Sequence, residues 1–128
     1  MCAGGDFGSK KLTLKGCGLP WEDMRIVGSL PNLEILRLHW GAFVGYVWNP
    51  SEGEFARLKL LEISWNHLKY WGAENTHFPS LEHLVLQKVG LQELPLGLAE
   101  IHTLRLIGLK CCKKSAVDSV KQIREEGS

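Results

Sequence analysis

Five six-residue segments, at 9–14, 33–38, 58–63, 81–86 and 104–109, share one apolar pattern, as in Leu33-Glu34-Ile35-Leu36-Arg37-Leu38 and Leu81-Glu82-His83-Leu84-Val85-Leu86. Their starts are separated by 24, 25, 23 and 23 residues. This regularity constrains the fold more than local propensity does. A unit of ~20–29 residues cannot bury its own apolar edge and becomes stable only when stacked on its neighbours.

Each copy continues alike. Behind the strand come Cys17 and Leu19, Gly41 and Phe43, Asn66 and Leu68, Val89 and Leu91, then Cys112, so three of the five copies carry Asn or Cys at the same point. That is the leucine-rich-repeat pattern. Alternate strand residues face opposite ways, so two apolar residues per copy point into the stack while their neighbours face solvent. The Asn or Cys then turns inward to meet backbone groups that the bend leaves unpaired. The expected fold is α/β: a leucine-rich-repeat solenoid of about five repeats over residues 10–114, with its parallel sheet on the concave side. A C-terminal capping helix is expected over residues 115–128, and a disordered tail over residues 1–9.

The connections differ. The stretch from Leu91 to Leu104, with apolar residues every third position around Pro95, predicts a short helix or 3₁₀ segment on the convex side. Residues 45–55 contain Asn49-Pro50 and Gly53 and read as an extended excursion on the convex side, in the plainest case a spacer. Ser115 is an N-cap candidate for the last helix, whose apolar stripe is Ala116, Val117, Val120 and Ile123. Residues 1–8 include three glycines and little apolar surface, so the first strand is expected to be uncapped and prone to self-association.

Composition narrows the function classes. With 128 residues, 15 basic and 14 acidic, the chain carries a formal net charge of +1, which supplies no global attraction to nucleic acid or an anionic membrane. No apolar run reaches the ~18 residues of a membrane span, and the first residues have neither a basic start nor an apolar signal core. Four cysteines without a C-x-x-C spacing indicate neither a disulfide framework nor a zinc ribbon. These features point to a cytoplasmic protein with no integral membrane segment and no nucleic-acid partner.

Motifs for chemistry are weak. Gly4-Gly5-Asp6-Phe7-Gly8-Ser9-Lys10-Lys11 lacks the spacing of a phosphate cradle and follows no strand. Cys111-Cys112 with His102 and His83 would be a poor metal set, because adjacent cysteines do not easily reach one tetrahedral ion. Cys111 as a nucleophile has Lys110 and Lys113 nearby but no suggested oxyanion donor or orienting carboxylate. The expectation is a chain that is not an enzyme and needs no cofactor or metal.

The sharper signal lies on the solvent side of the strands. There Lys11, Lys15, Arg37 and Lys110 are opposed by Glu62 alone. One position further along, Gly16, Trp40, Trp65, Lys88 and Cys111 should line up across the stack. Large aromatics beside an arginine are enriched at binding surfaces, so Arg37, His39, Trp40, Glu62, Trp65, His83 and Lys88 form the candidate protein-binding set. The alternative is that Trp40 and Trp65 simply pack on one another at the strand-to-loop corner, with Trp48 and Trp71 packed on the convex side.

The repeats, together with Leu12-Thr13-Leu14-Lys15-Gly16-Cys17-Gly18-Leu19-Pro20-Trp21-Glu22-Asp23-Met24, Gly53-Glu54-Phe55, His77-Phe78-Pro79-Ser80-Leu81 and Ser115-Ala116-Val117, resemble plant intracellular nucleotide-binding leucine-rich-repeat disease-resistance proteins of the nightshade late-blight-resistance type. The resemblance runs from about Lys10 to Glu126 and corresponds to that family's carboxyl-terminal leucine-rich portion. It implies a non-catalytic interaction module of an immune receptor, contacting a pathogen effector, a host protein or the receptor's own nucleotide-binding domain. The alternatives from the residues are a free-standing regulatory leucine-rich-repeat protein that binds an enzyme and, more remotely, a small cysteine hydrolase using Cys111.

Overall fold

The computed structural model of the chain describes residues 9–74 and 76–126. Along the chain run β1 (Lys11–Lys15), β2 (Leu19–Pro20), a 3₁₀ turn (Trp21–Asp23), α1 (Met24–Gly28), β3 (Ile35–His39), β4 (Phe43–Val44), β5 (Val47–Trp48), β6 (Leu60–Asn66), β7 (Tyr70–Trp71), β8 (His83–Val89), a second 3₁₀ turn (Leu96–Glu100), β9 (Leu106–Lys110) and α2 (Lys114–Glu126). The fold is α/β. Strands β1, β3, β6, β8 and β9 form one parallel five-stranded sheet in chain order. Pairing sets Lys11 beside Ile35, Ile35 beside Leu60, Leu60 beside His83 and His83 beside Leu106. Those are the register steps that the sequence periodicity predicts.

Alternation follows from this register. Leu12, Leu14, Leu36, Leu38, Leu61, Ile63, Leu84 and Leu86 are all buried at 3% exposure or less, each worth ~1.5–3 kcal/mol relative to exposure. Their neighbours face solvent to varying degrees, except Ser64, which is buried. Just ahead of the strands, Lys10, Glu34, Lys59, Glu82 and Arg105 alternate in sign, and the Glu34 carboxylate lies 3.7 Å from both Lys10 and Lys59. Such exposed pairs add only ~0–1 kcal/mol each, but a slipped neighbour order would set like charges together.

Behind the sheet, Asn66 performs the inward turn expected of it. Its amide donates to the Phe43 carbonyl at 2.9 Å and its side-chain oxygen accepts the Leu68 N–H at 2.9 Å. The Cys112 thiol points back to the carbonyls of Leu86 and Lys110.

Residues 45–55 are not a spacer. Trp48 and Phe55 are among the most buried side chains, and β5 pairs with β7. The Phe55 N–H donates to the Gly28 carbonyl at 2.8 Å, where a Cβ on Gly28 would collide with the Glu54 side chain. The segment looks like a loop in sequence because its apolar residues lie between turn formers and follow no period.

The two ends differ. Leu12 and Leu14 of β1 are buried, in one core with Met24 and Val27 of α1. At this end β1 pairs only with β3 and Ile26 of α1 is exposed; at the other, Ile107 and Leu109 of β9 are only partly buried and Leu106 is exposed. Helix α2 begins at Lys114, which places Ser115 inside it, and it packs chiefly on the Leu96–Glu100 turn. Ala116 and Ile123 are buried and Val120 partly so, but Val117 faces solvent. The inward place is taken by Ser119, whose hydroxyl accepts the Leu94 N–H at 2.9 Å and donates to the Ala116 carbonyl at 2.6 Å. Of the expected tail over residues 1–9, all but Ser9 lies outside the described residues.

Candidate functional site

The position that closes each strand of the main sheet has an unusual backbone. Gly16, Trp40, Trp65, Lys88 and Cys111 have φ values of 60°, 56°, 54°, 53° and 55°, all in the left-handed region. For a residue other than glycine this conformation costs about 1–2 kcal/mol. The reversal sends the following residue (Asn66 after Trp65, for example) into the core and leaves the left-handed residue's own side chain outside. Sequence reasoning aligned the column but missed its conformation, although Gly16 in the column was a signal for it.

Two clusters result. In the first, the indoles of Trp40 and Trp65 stack with centroids 5.0 Å apart and planes within 3°, and the Lys88 ammonium sits 4.7 Å above the Trp65 ring. Corner packing therefore occurs as anticipated, yet Trp40 remains 61% and Trp65 44% exposed. In the second, Glu62 lies opposite Arg37 by register and reaches diagonally to His39. The His39 Nε2 is 2.5 Å from the Glu62 carboxylate and the Arg37 Nε is 3.8 Å from the same oxygen. A carboxylate only accepts, so His39 carries its proton on Nε2.

His83 stands apart. Its register neighbours are Leu60 and Leu106, not Glu62. The remaining cations of this face, Lys11, Lys15, Lys88 and Lys110, form no ion pair among the described residues. With Glu62 engaged by Arg37 and His39, the face presents unneutralised positive charge beside an exposed aromatic pair.

Among the described residues no three His, Cys, Asp or Glu side chains converge as metal ligands. Among the same residues no helix is long and apolar enough to cross a membrane.

No family model matches the chain. Three relatives from Solanum demissum are similar to it: the putative late blight resistance protein homolog R1B-11 (37% identical over 101 residues), the homolog R1B-16 (36% over 98 residues) and late blight resistance protein R1-A (33% over 117 residues). These matches cover 77%, 75% and 88% of this chain but only 8%, 8% and 9% of the relatives. Over the shared residues the chain is of the nightshade late-blight-resistance type.

Proposed function

We propose that the chain is a leucine-rich-repeat solenoid of about five repeats, with the five-stranded sheet on its concave side and α2 as its terminal cap. On this reading it serves as a non-catalytic protein-interaction module of a plant intracellular immune receptor, cytoplasmic and acting in defence and pathogen recognition. The partner is a pathogen effector, a host protein or the receptor's own nucleotide-binding domain.

The observation that carries this reading is the convergence of Arg37, Glu62 and His39 with Trp40, Trp65 and Lys88 on one exposed sheet face, contributed by successive strands. The kinship to late blight resistance proteins supports it. In such a face the indoles serve as anchors whose desolvation slows dissociation. The cations steer an approaching partner and govern its salt dependence.

The test replaces the matched segment of late blight resistance protein R1-A from Solanum demissum with this chain and follows the leaf defence response. Arg37→Glu with Trp65→Ala should abolish the response while receptor accumulation is unchanged. A response as strong as that of the unsubstituted chimaera would overturn assignment to this face.

A further inference from the structure

We infer that Trp40 is a stacking platform for an aromatic side chain within an acidic segment of the partner protein. This rests on the sheet face being the protein-binding surface and specifies what that surface recognises.

The two faces of the Trp40 ring differ. One lies against Trp65 at 5.0 Å, and Trp65 in turn lies under the Lys88 ammonium. The other faces the β1 side, where the equivalent rung is Gly16. That residue has no side chain, and a Cβ built on it would approach nothing nearer than the Trp40 carbonyl oxygen at 3.8 Å. Among the described residues the stack is closed at Lys88 and open at Trp40. The rung beside it has room for a side chain but bears glycine, the residue that its φ of 60° favours, while Trp40 keeps a large side chain on the same left-handed backbone.

The surrounding charge selects the occupant. An indole face attracts a guanidinium or ammonium by ~0.5–1 kcal/mol at an exposed site, which taken alone would favour a basic partner. Against this stand Lys15, one residue before Gly16 and beside His39 in register, together with Lys11 and Arg37 on the same face. A cation on Trp40 would meet that field, whereas a neutral aromatic ring stacks on the indole without it. Carboxylates flanking the ring on the partner would then meet Lys11 and Lys15, which have no ion-pair partner among the described residues.

The experiment follows the Trp40 indole N–H of the ¹⁵N-labelled chain by NMR, with the resonance assigned through Trp40→Ala. It is titrated with three blocked peptides: DEFED, the ring-less DEAED and the charge-inverted KRFRK. DEFED should shift this resonance and bind about tenfold more tightly than either control. Trp40→Ala should remove the advantage over DEAED, and Lys15→Glu should weaken DEFED several-fold at low salt. Both substitutions are at exposed positions, and a thermal melt of each checks that the fold is kept. KRFRK binding as well as DEFED, DEFED binding no better than DEAED, or shifts that bypass Trp40 would each overturn the inference. A concentration-dependent Trp40 shift without peptide would also overturn it, by assigning the open face to a second copy. The chimaera separates the wider reading. If it loses its response on Arg37→Glu with Trp65→Ala while the peptides ignore Trp40, only this inference fails; if it is indifferent to those changes, the sheet-face reading fails as well.

Discussion

The molecule contains two ladders of stacked tryptophans, one inside and one outside. On the inner side, Trp48 lies between Trp21 and Trp71 at 5.0 and 5.5 Å, with ring planes within 15° and 7°, and Phe55 and Phe78 pack against it edge-on. On the outer side, Trp40 and Trp65 stack at 5.0 Å and 3°, with water around them. The contact geometry is nearly the same; Trp48 and Trp71 are register partners of β5 and β7, whereas Trp21 reaches Trp48 from the 3₁₀ turn, outside any strand pairing. What differs is the surroundings. The inner tryptophans gain from burial and have ordinary backbone conformations, although Phe55 beside them has a φ of 53°, whereas the outer pair gain little burial and both sit on left-handed residues. Burial determines what such a ring contact contributes to stability.

The largest effect that follows is in the inner ladder. Trp48→Ala should lower unfolding free energy by about 3–5 kcal/mol, whereas Trp40→Ala should lower it by no more than ~1 kcal/mol, the scale of an aromatic pair. Urea denaturation of the two variants checks this. Comparable losses would mean that the outer pair is part of the stabilising core and would weaken its candidacy as a binding surface.

The next effect contrasts two adjacent residues. Trp65 points outward and Asn66 inward, and Asn66→Ala leaves the Phe43 carbonyl and the Leu68 N–H without the side-chain partner they have now. Each buried group so stranded costs ~1–3 kcal/mol, so Asn66→Ala should destabilise the fold by more than Trp65→Ala although it removes a far smaller side chain. The same denaturation series reads this. The reverse order would show that water reaches the corner and replaces the amide.

Much of this was legible in the sequence, for a definite reason. Register, inward leucines, the Asn66 turn and the column from Gly16 to Cys111 all follow from the period, since in a parallel stack sequence spacing is spatial adjacency. What escaped lies off the period. Phe55 is an isolated apolar residue in a segment rich in turn formers, and only three-dimensional packing shows that it is core. Ser119 fills an inward helical place because Leu94 needs an acceptor there, a demand set by another repeat. At the candidate site, the alignment of Trp40, Trp65 and Lys88 was readable, while the left-handed backbone and the diagonal reach of Glu62 to His39 depend on geometry that spacing does not encode.

The left-handed column supplies a smaller effect. At Trp65 glycine should be more favourable than alanine by about 1 kcal/mol, because only glycine escapes the Cβ clash at positive φ. In an ordinary strand or helix the order is the opposite. Comparing Trp65→Gly with Trp65→Ala by chemical denaturation isolates backbone strain from the indole, which both variants lack. Equal stabilities would mean that the strand end relaxes out of this conformation once the indole is gone.

The smallest effect concerns the cation that closes the outer ladder. Lys88 over Trp65 at 4.7 Å has a counterpart elsewhere in Lys69, whose ammonium lies 4.6 Å from the Tyr46 ring. Both are exposed-site pairs, so double-mutant cycles built from Lys88→Met with Trp65→Ala and from Lys69→Met with Tyr46→Ala should each return a coupling of about 0.5 kcal/mol. Methionine keeps an unbranched stem, so each cycle reports mainly the charge. The comparison is informative because the two aromatic rings differ in what else they touch. Trp65 already has Trp40 on its other side, and the indole face is the stronger cation acceptor. Coupling at Lys69 but not at Lys88 would therefore mean that the ammonium leaves the indole in solution. The outer ladder would then be open at both ends, and Trp65 would present a second stacking face beside the one at Trp40.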